Sequence, residues 1–129
     1  MVRMIFPNLP VKDVVRARTF WTSLGFDINE TFSNDDAICV VVNEFANVML
    51  LRTDFFHSFH DTVEGTGTQV LMAISGEDRA DVDRLCREAE AAGATNVVAP
   101  VEQGAMYGGS FCDLDGHLWE VMHMELGAA

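Results

Sequence analysis

The fold is decided by the stretch Asp113-Leu114-Asp115-Gly116-His117-Leu118-Trp119-Glu120. Asp115 and Gly116 supply the positive φ angles that a tight hairpin turn needs. Side chains of the following strand alternate between two faces, so Glu120 lies on one face and Trp119 and Val121 on the other. Since Trp119 and Val121 suit packing against helices, we expect Glu120 to face the concave side of a sheet. A carboxylate there is costly unless it is paired, ligated or hydrated.

The first half of the chain contains a parallel stretch. Residues 43–50 match 113–120 in a register that places Leu50 opposite Glu120. Gly25 and Gly93 both stand where a glycine commonly ends a helix. The chain therefore reads as two pseudo-symmetric modules.

Each module is predicted to have the order βαβββ. In the first, residues 4–11 form an edge or irregular strand because two prolines interrupt its hydrogen bonding, and Asp13 caps a helix. That helix has a one-sided apolar stripe at Ala17, Phe20, Trp21 and Leu24. The three strands that follow are expected at 26–31, 37–42 and 48–53.

The second module repeats this order. A strand at 69–74 precedes a helix that starts at 75–78 and has its stripe at Val82, Leu85, Cys86 and Ala89. Further strands are expected at 96–101, 106–112 and 117–124. The prediction is a single α+β domain over residues 1–129, with module one at 1–54, a connection at 55–67 and module two at 68–125. Together the modules would form a curved mixed sheet around a cavity.

Composition excludes several classes of partner. The net charge of −12 repels phosphate backbones and anionic lipid surfaces, so neither nucleic acid nor a membrane is expected. No apolar run approaches the ~20 residues needed to cross a bilayer, and no signal peptide opens the chain. The three cysteines lie far apart in apolar patterns, as buried thiols do. We therefore expect a cytoplasmic location.

Several motifs resemble the glyoxalase, bleomycin-resistance and extradiol-dioxygenase proteins of the vicinal oxygen chelate superfamily. These are Asn8-Leu9-Pro10-Val11-Lys12-Asp13, Phe20-Trp21-Thr22-Ser23-Leu24-Gly25-Phe26 and the Asp113–Glu120 hairpin. The stretch 106–111 before the hairpin is similar to a subgroup described as predicted lactoylglutathione lyases. The resemblance implies paired βαβββ modules, a small-molecule ligand and a homodimer.

The resemblance also implies four metal-ligand positions, which fall on Phe6, Leu50, Gln69 and Glu120. Of these, only Gln69 and Glu120 carry donor atoms, whereas Phe6 and Leu50 are hydrocarbon. A divalent cation needs several oxygen or nitrogen donors. We therefore expect no cofactor, with a divalent metal at Gln69 and Glu120 left as the open alternative.

Several other residues are candidate substrate-binding groups. Tyr107 and Ser110 lie in a glycine-rich strand and could line the cavity, or Tyr107 could be buried at a β-bulge. Arg52 could bind substrate or pair with Glu120. Asn8 and Gln69 could bind ligand or satisfy local backbone groups.

The histidines make a weaker case for a site. His57 and His60 have the spacing of one helical face, but two ligands without further partners favour loop or lid residues. His117 is expected near the turn and exposed. His123 is expected to face the helices and find a core partner.

The leading function is a glyoxalase-like protein that binds a small oxygenated molecule, acting as a lyase or isomerase with Glu120 as acid or base. The alternative is a non-catalytic protein that sequesters a drug or toxin.

Overall fold

The computed structural model describes residues 3–59 and 70–125. The chain divides into two compact units, residues 1–64 and 65–129, and each is described by itself. The boundary at residues 64 and 65 falls inside the predicted connection. None of the helices in the described ranges is both long enough and apolar enough to span a bilayer.

Unit one contains one four-stranded mixed sheet and its helices. In chain order the elements are β1 (Asn8–Val11), α1 (Val14–Ser23), β2 (Asp27–Ile28), a 3-10 turn (Glu30–Phe32), β3 (Ala37–Val41), β4 (Asn47–Arg52) and α2 (Thr53–His57). The strand order is β1-β4-β3-β2, with β1 parallel to β4 and the other pairs antiparallel. β1 is therefore an edge strand, as its prolines predicted.

Helix α1 forms where the apolar stripe predicted it. The Asp13 carboxylate accepts a hydrogen bond from the backbone N–H of Arg16 at 3.1 Å and caps the first turn. The four stripe residues are all buried: Ala17, Phe20, Trp21 and Leu24. The helix ends before Gly25, whose φ of 94° suits glycine.

Unit two repeats the topology with longer elements. They are β5 (Leu71–Ser75), α3 (Arg79–Ala91), β6 (Thr95–Gln103), β7 (Met106–Cys112) and β8 (Leu118–Met124). The strand order is β5-β8-β7-β6, with β5 parallel to β8. The paired βαβββ arrangement is confirmed. The hollow expected between the modules stays a prediction.

The core of unit two lies between α3 and one face of this sheet. Phe111, Trp119 and Val121 are buried there, as is the α3 stripe Val82, Leu85, Cys86 and Ala89. Gly109 of β7 marks the tightest contact, because a Cβ at this position would lie 3.0 Å from the Cys86 Sγ and 2.7 Å from the carbonyl oxygen of Val98. The helix therefore sits directly on this face.

The two modules align one residue away from the predicted register. Each hairpin is closed by a backbone hydrogen bond across five residues, from Val42 N to Ala46 O at 3.0 Å and from Asp113 N to His117 O at 2.9 Å. Counting from these bonds, Met49 is the counterpart of Glu120, and the pairing with Leu50 was wrong. The predicted register aligned Asp115-Gly116 of one hairpin with Phe45-Ala46 of the other, although these pairs do not occupy equivalent positions in the two turns.

The first strands and helix caps give the same alignment. Asn8 pairs with Met49 and stands five residues before the cap Asp13. Ala73 pairs with Glu120 and stands five residues before the cap Asp78. Two independent parts of the module therefore agree on the corrected register.

One prediction about the connection was incomplete. Residues 55–67 were expected to lack regular structure, but α2 extends through His57. Its aromatic rings contribute to this turn, since Phe55 and Phe59 pack edge to face with centroids 5.0 Å apart. Adjacent bulky residues had obscured the short helical period.

Replacing Gly109 with Ala should destabilise the protein by roughly 1–3 kcal/mol, because the new methyl group would push β7 away from α3 and β6. The matched control is Ser110→Ala, one residue along on the opposite face, which should change the free energy of unfolding much less. Urea denaturation checks both variants. Equal destabilisation by the two variants would contradict the packing of this face.

Candidate functional site

The candidate site is the side of the second sheet that carries Glu120, opposite α3; we call it the Glu120 face. Glu120 is half-buried on β8, between its partners Ala73 on β5 and Ser110 on β7. The bonds from Asp113 N to His117 O and from Glu125 N to Ala105 O define which β7–β8 pairs exchange backbone hydrogen bonds. Ser110 and Glu120 are a non-hydrogen-bonded pair, the kind whose side chains approach most closely.

Small side chains surround Glu120. Its immediate and diagonal neighbours include Ala73, Ser75, Gly108 and Ser110. Gly108 faces this side, since a Cβ added to it would lie 3.3 Å from the Cβ of Met122. Several of the side chains beside the Glu120 carboxylate on this face are therefore small.

Exposed apolar side chains form a rim around these small residues. Leu71 is 48% exposed and Met124 47% exposed. Val98 and Val101 of β6 are 56% and 53% exposed, and they pair with Ser110 and Gly108. The register shift in β6 between Val98 and Val101 keeps both valines on the same side although they are three residues apart. Clustered exposed apolar side chains of this kind are typical of binding surfaces.

The polar groups at the centre of the face are available to a ligand. In residues 3–59 and 70–125 the Glu120 carboxylate makes no hydrogen bond or ion pair, and neither does the Ser110 hydroxyl. A carboxylate accepts up to four hydrogen bonds, while a hydroxyl both donates and accepts. Together they can bind a cationic or hydrogen-bond-donating group, or move a proton.

Tyr107 lies on the other side of β7. Its hydroxyl donates to the Asp83 carboxylate of α3 at 2.6 Å, and the Arg79 guanidinium lies 4.8 Å from its ring centre. The hydrogen bond to Asp83 raises the pKa of Tyr107, with burial adding to the effect. Tyr107 and Ser110, predicted to line one cavity, are thus on opposite faces of their strand.

Arg52 and Asn8 have local partners in unit one. Arg52 forms ion pairs with Asp54 at 2.6 Å and Asp36 at 2.8 Å, and the hydrogen bond to Asp54 is the main reason that its pKa is raised. The Asn8 amide donates to the Phe6 carbonyl at 2.6 Å. The backbone-satisfying alternative for Asn8 is therefore confirmed.

The remaining predicted polar residues are distributed as follows. Gln69 and His60 lie outside the described residues. His57 is exposed at the end of α2, and His117 is half-buried beside the turn, where an exposed position was expected. His123 Nδ1 lies 3.3 Å from the carbonyl oxygen of Gly76 on the α3 side, so its predicted core contact is confirmed.

The described residues do not fit a divalent metal centre. In the part of the chain that the structure describes, no three His, Cys, Asp or Glu side chains cluster closely enough to hold an ion. The corrected register puts Met49 in the position assigned to Leu50. Leu71 is the counterpart of Phe6 in the same register. Leu71 stands two residues before Ala73, the strand partner of Glu120, and Phe6 stands two residues before Asn8, the strand partner of Met49. Glu120 alone is a suitable donor among these positions.

A separate cleft of about 520 Å³ lies between α3 and β6, away from the Glu120 face. Cys86 lines it together with Val97, Ala99 and Pro100. Burial, helped by the nearby Asp83 charge, raises the pKa of the Cys86 thiol. The thiol is therefore a poor nucleophile and a poor metal ligand at neutral pH.

Asp113 is a buried carboxylate that sequence reasoning treated only as part of the hairpin. Its Oδ1 accepts from the backbone N–H groups of Asp115 and His117 at 2.9 and 3.0 Å, and its Oδ2 accepts from the Trp119 indole at 2.9 Å. Burial is the main cause of its raised pKa. The sequence feature that could have identified this role is an Asp at the first position of the turn, because Asp side chains there commonly accept hydrogen bonds from backbone N–H groups.

Comparison with known proteins agrees with this architecture. Residues 3–43 match the family model described as bleomycin resistance protein-like N-terminal. No protein of curated function matches the sequence significantly.

Several solved structures share the fold. A hypothetical protein from S. aureus is 25% identical, with a TM-score of 0.81 over 95% of this chain and 94% of that one. A glyoxalase/bleomycin resistance protein/dioxygenase family enzyme from Burkholderia phytofirmans is 20% identical, with a TM-score of 0.81 over 92% and 96%. The bleomycin resistance determinant of transposon Tn5 is 20% identical, with a TM-score of 0.65 over 95% and 98%.

The fold is therefore the glyoxalase-like α+β fold of two repeated modules. The family-model match over residues 3–43 agrees with the resemblance that the motifs suggested, and the neighbours at 20% identity show the shared fold.

Tyr107→Phe should lower the unfolding midpoint, because the Asp83 carboxylate loses its phenolic donor. Ser110→Ala should leave the midpoint nearly unchanged, since the Ser110 hydroxyl makes no hydrogen bond within the described ranges. Thermal unfolding followed by circular dichroism compares them. A larger loss for Ser110→Ala would contradict the assignment of the two side chains to opposite faces.

Proposed function

We propose that the protein is a small-molecule-binding protein that uses the Glu120 face without a resident divalent metal. The observation that carries this proposal is the half-buried carboxylate of Glu120, which has no hydrogen-bond or ion-pair partner among the described residues and lies within an exposed apolar surface. Sequestration of a ligand needs only such a surface and a polar anchor.

The charges of the face define the ligand class. Glu120 is the only charged side chain among the β5, β7 and β8 residues on this side of the sheet. A ligand with an apolar body and an amine, amidine or similar donor would satisfy both the rim and the carboxylate. The net charge of −12 would favour the encounter with such a cation.

Lactoylglutathione lyase activity is less well supported. The superfamily resemblance attaches that chemistry to a chelated metal, and three of the four corresponding positions carry Phe6, Met49 and Leu71. Thioether and hydrocarbon side chains do not replace imidazole or carboxylate around a hard cation.

A metal-free lyase or isomerase is the second candidate, and the Ser110–Glu120 pair favours it. A carboxylate beside a hydroxyl can take a proton from one substrate atom and assist its return to another. Binding assays and turnover assays separate the two candidates, since sequestration predicts ligand binding with no product.

A homodimer in the cytoplasm remains part of the proposal. The exposed valines at 98 and 101 are suited to contact with a second subunit, which would help to enclose the Glu120 face.

Glu120→Gln should weaken binding of a cationic aromatic probe such as thioflavin T by about 10- to 100-fold, because a charge-assisted hydrogen bond contributes roughly 1.5–3 kcal/mol. Binding of the anionic dye 8-anilinonaphthalene-1-sulfonate should not weaken. Fluorescence titration measures both. The matched control is Glu44→Gln, which removes the same charge from the exposed hairpin between β3 and β4. If the two variants lower thioflavin T binding equally, general charge rather than Glu120 controls recognition.

Protein purified without chelator should contain far less than one divalent ion per chain, and added Ni²⁺ or Zn²⁺ should not produce lactoylglutathione lyase activity. Elemental analysis and an activity assay test this directly. One tightly held ion per chain would overturn the metal-free proposal.

A further inference from the structure

The strand register places three methionines near one another at one end of the Glu120 face. Met106 on β7 is the direct partner of Met124 on β8, and Met122 lies two residues from Met124 on the same side. Gly108 is the partner of Met122, so no side chain of β7 fills the space opposite it. The three thioethers are therefore neighbours on one surface.

The backbone pairing brings them close. The hydrogen bond from Glu125 N to Ala105 O makes the next pair, Met106 and Met124, a non-hydrogen-bonded pair. Cβ atoms in such pairs are roughly 4.5–5.5 Å apart, and diagonal neighbours lie at about 7–8 Å. Methionine has three side-chain torsions, enough for all three sulfur atoms to turn toward one point.

These methionines are not core residues. Met124 is 47% exposed, and Met106 and Met122 are half-buried on the sheet side opposite α3. Packing between the sheet and α3 uses Phe111, Trp119 and Val121 instead.

Thioether sulfur is a soft ligand that selects monovalent soft metals such as Cu(I) over hard divalent ions. The acidic chain also favours the approach of a cation. The thiols that compete for a soft ion are of two kinds. Cys39 and Cys86 are buried, and burial raises the pKa of each; Cys112 is half-buried near the other end of β7.

We propose that Met106, Met122 and Met124 form a thioether site for a monovalent soft metal ion of the Cu(I) class. The site is separate from the Glu120 carboxylate in chemistry although it shares the same sheet face. It extends the protein's ligands beyond the small molecule proposed above.

Silver(I) is a suitable probe because it has the ligand preferences of Cu(I) without its redox chemistry. Full-length protein carrying Cys112→Ser, with methionine labelled at the ¹³C-methyl group, would be titrated with Ag(I) and followed by NMR. The methyl signals of residues 106, 122 and 124 should shift together and saturate near one equivalent, while the other four of the seven methionines change little.

Met124→Leu should weaken Ag(I) binding at least tenfold while keeping the apolar volume of the side chain. The matched control is Met72→Leu, because Met72 pairs with Trp119 and lies on the α3 side of the sheet. Folding of each variant is checked by its methyl spectrum before metal is added.

The proposal is overturned if Ag(I) leaves the three methyl signals unmoved, if it is bound only by the remaining cysteines, or if both leucine variants bind alike. Glu120→Gln should leave Ag(I) binding intact. The proposed metal site and the proposed small-molecule site are therefore tested independently, because loss of one does not entail loss of the other.

Discussion

The packing of α3 onto one face of the second sheet is the constraint on which the candidate site depends. Gly109 allows the helix to approach so closely that a Cβ added at this position would lie only 3.0 Å from the Cys86 sulfur. With Trp119 and Val121 committed to that interface, the alternation of β8 leaves Glu120 on the opposite side. Asp113 reinforces the arrangement, because it holds the turn and the Trp119 indole together.

The two modules share a framework but differ where chemistry would occur. Their caps, helix stripes and hairpin closures correspond residue by residue, yet Met49 stands where the other module has Glu120. The Glu120 face of the second sheet therefore carries a single carboxylate on a largely apolar, methionine-containing surface. The proposal of an organic ligand rests on this composition.

Much of the fold was predictable because its determinants are local. The helix stripes and their caps act within a few residues, and each was confirmed. The Asp115-Gly116 turn also forms, but only half of its predicted geometry is right: Gly116 has the predicted positive φ, at 82°, whereas Asp115 does not have a positive φ. The module register was missed by one residue because it depends on backbone hydrogen bonds that the turn sequences do not reveal. Tyr107 was placed with Ser110 because alternation along β7 was not combined with the position of α3. The partners of Arg52 likewise depend on a contact with Asp36, sixteen positions away in the chain.

Thiol labelling of single-cysteine substitutions along β8 tests the central claim most directly. In protein whose own three cysteines have been replaced, Cys introduced at 120 or 122 should react with Ellman's reagent under native conditions, while Cys at 121 should react only as fast as the protein unfolds. Reactivity at 121 equal to that at its neighbours in the folded protein would show that α3 does not cover this face, and would contradict the site built on Glu120.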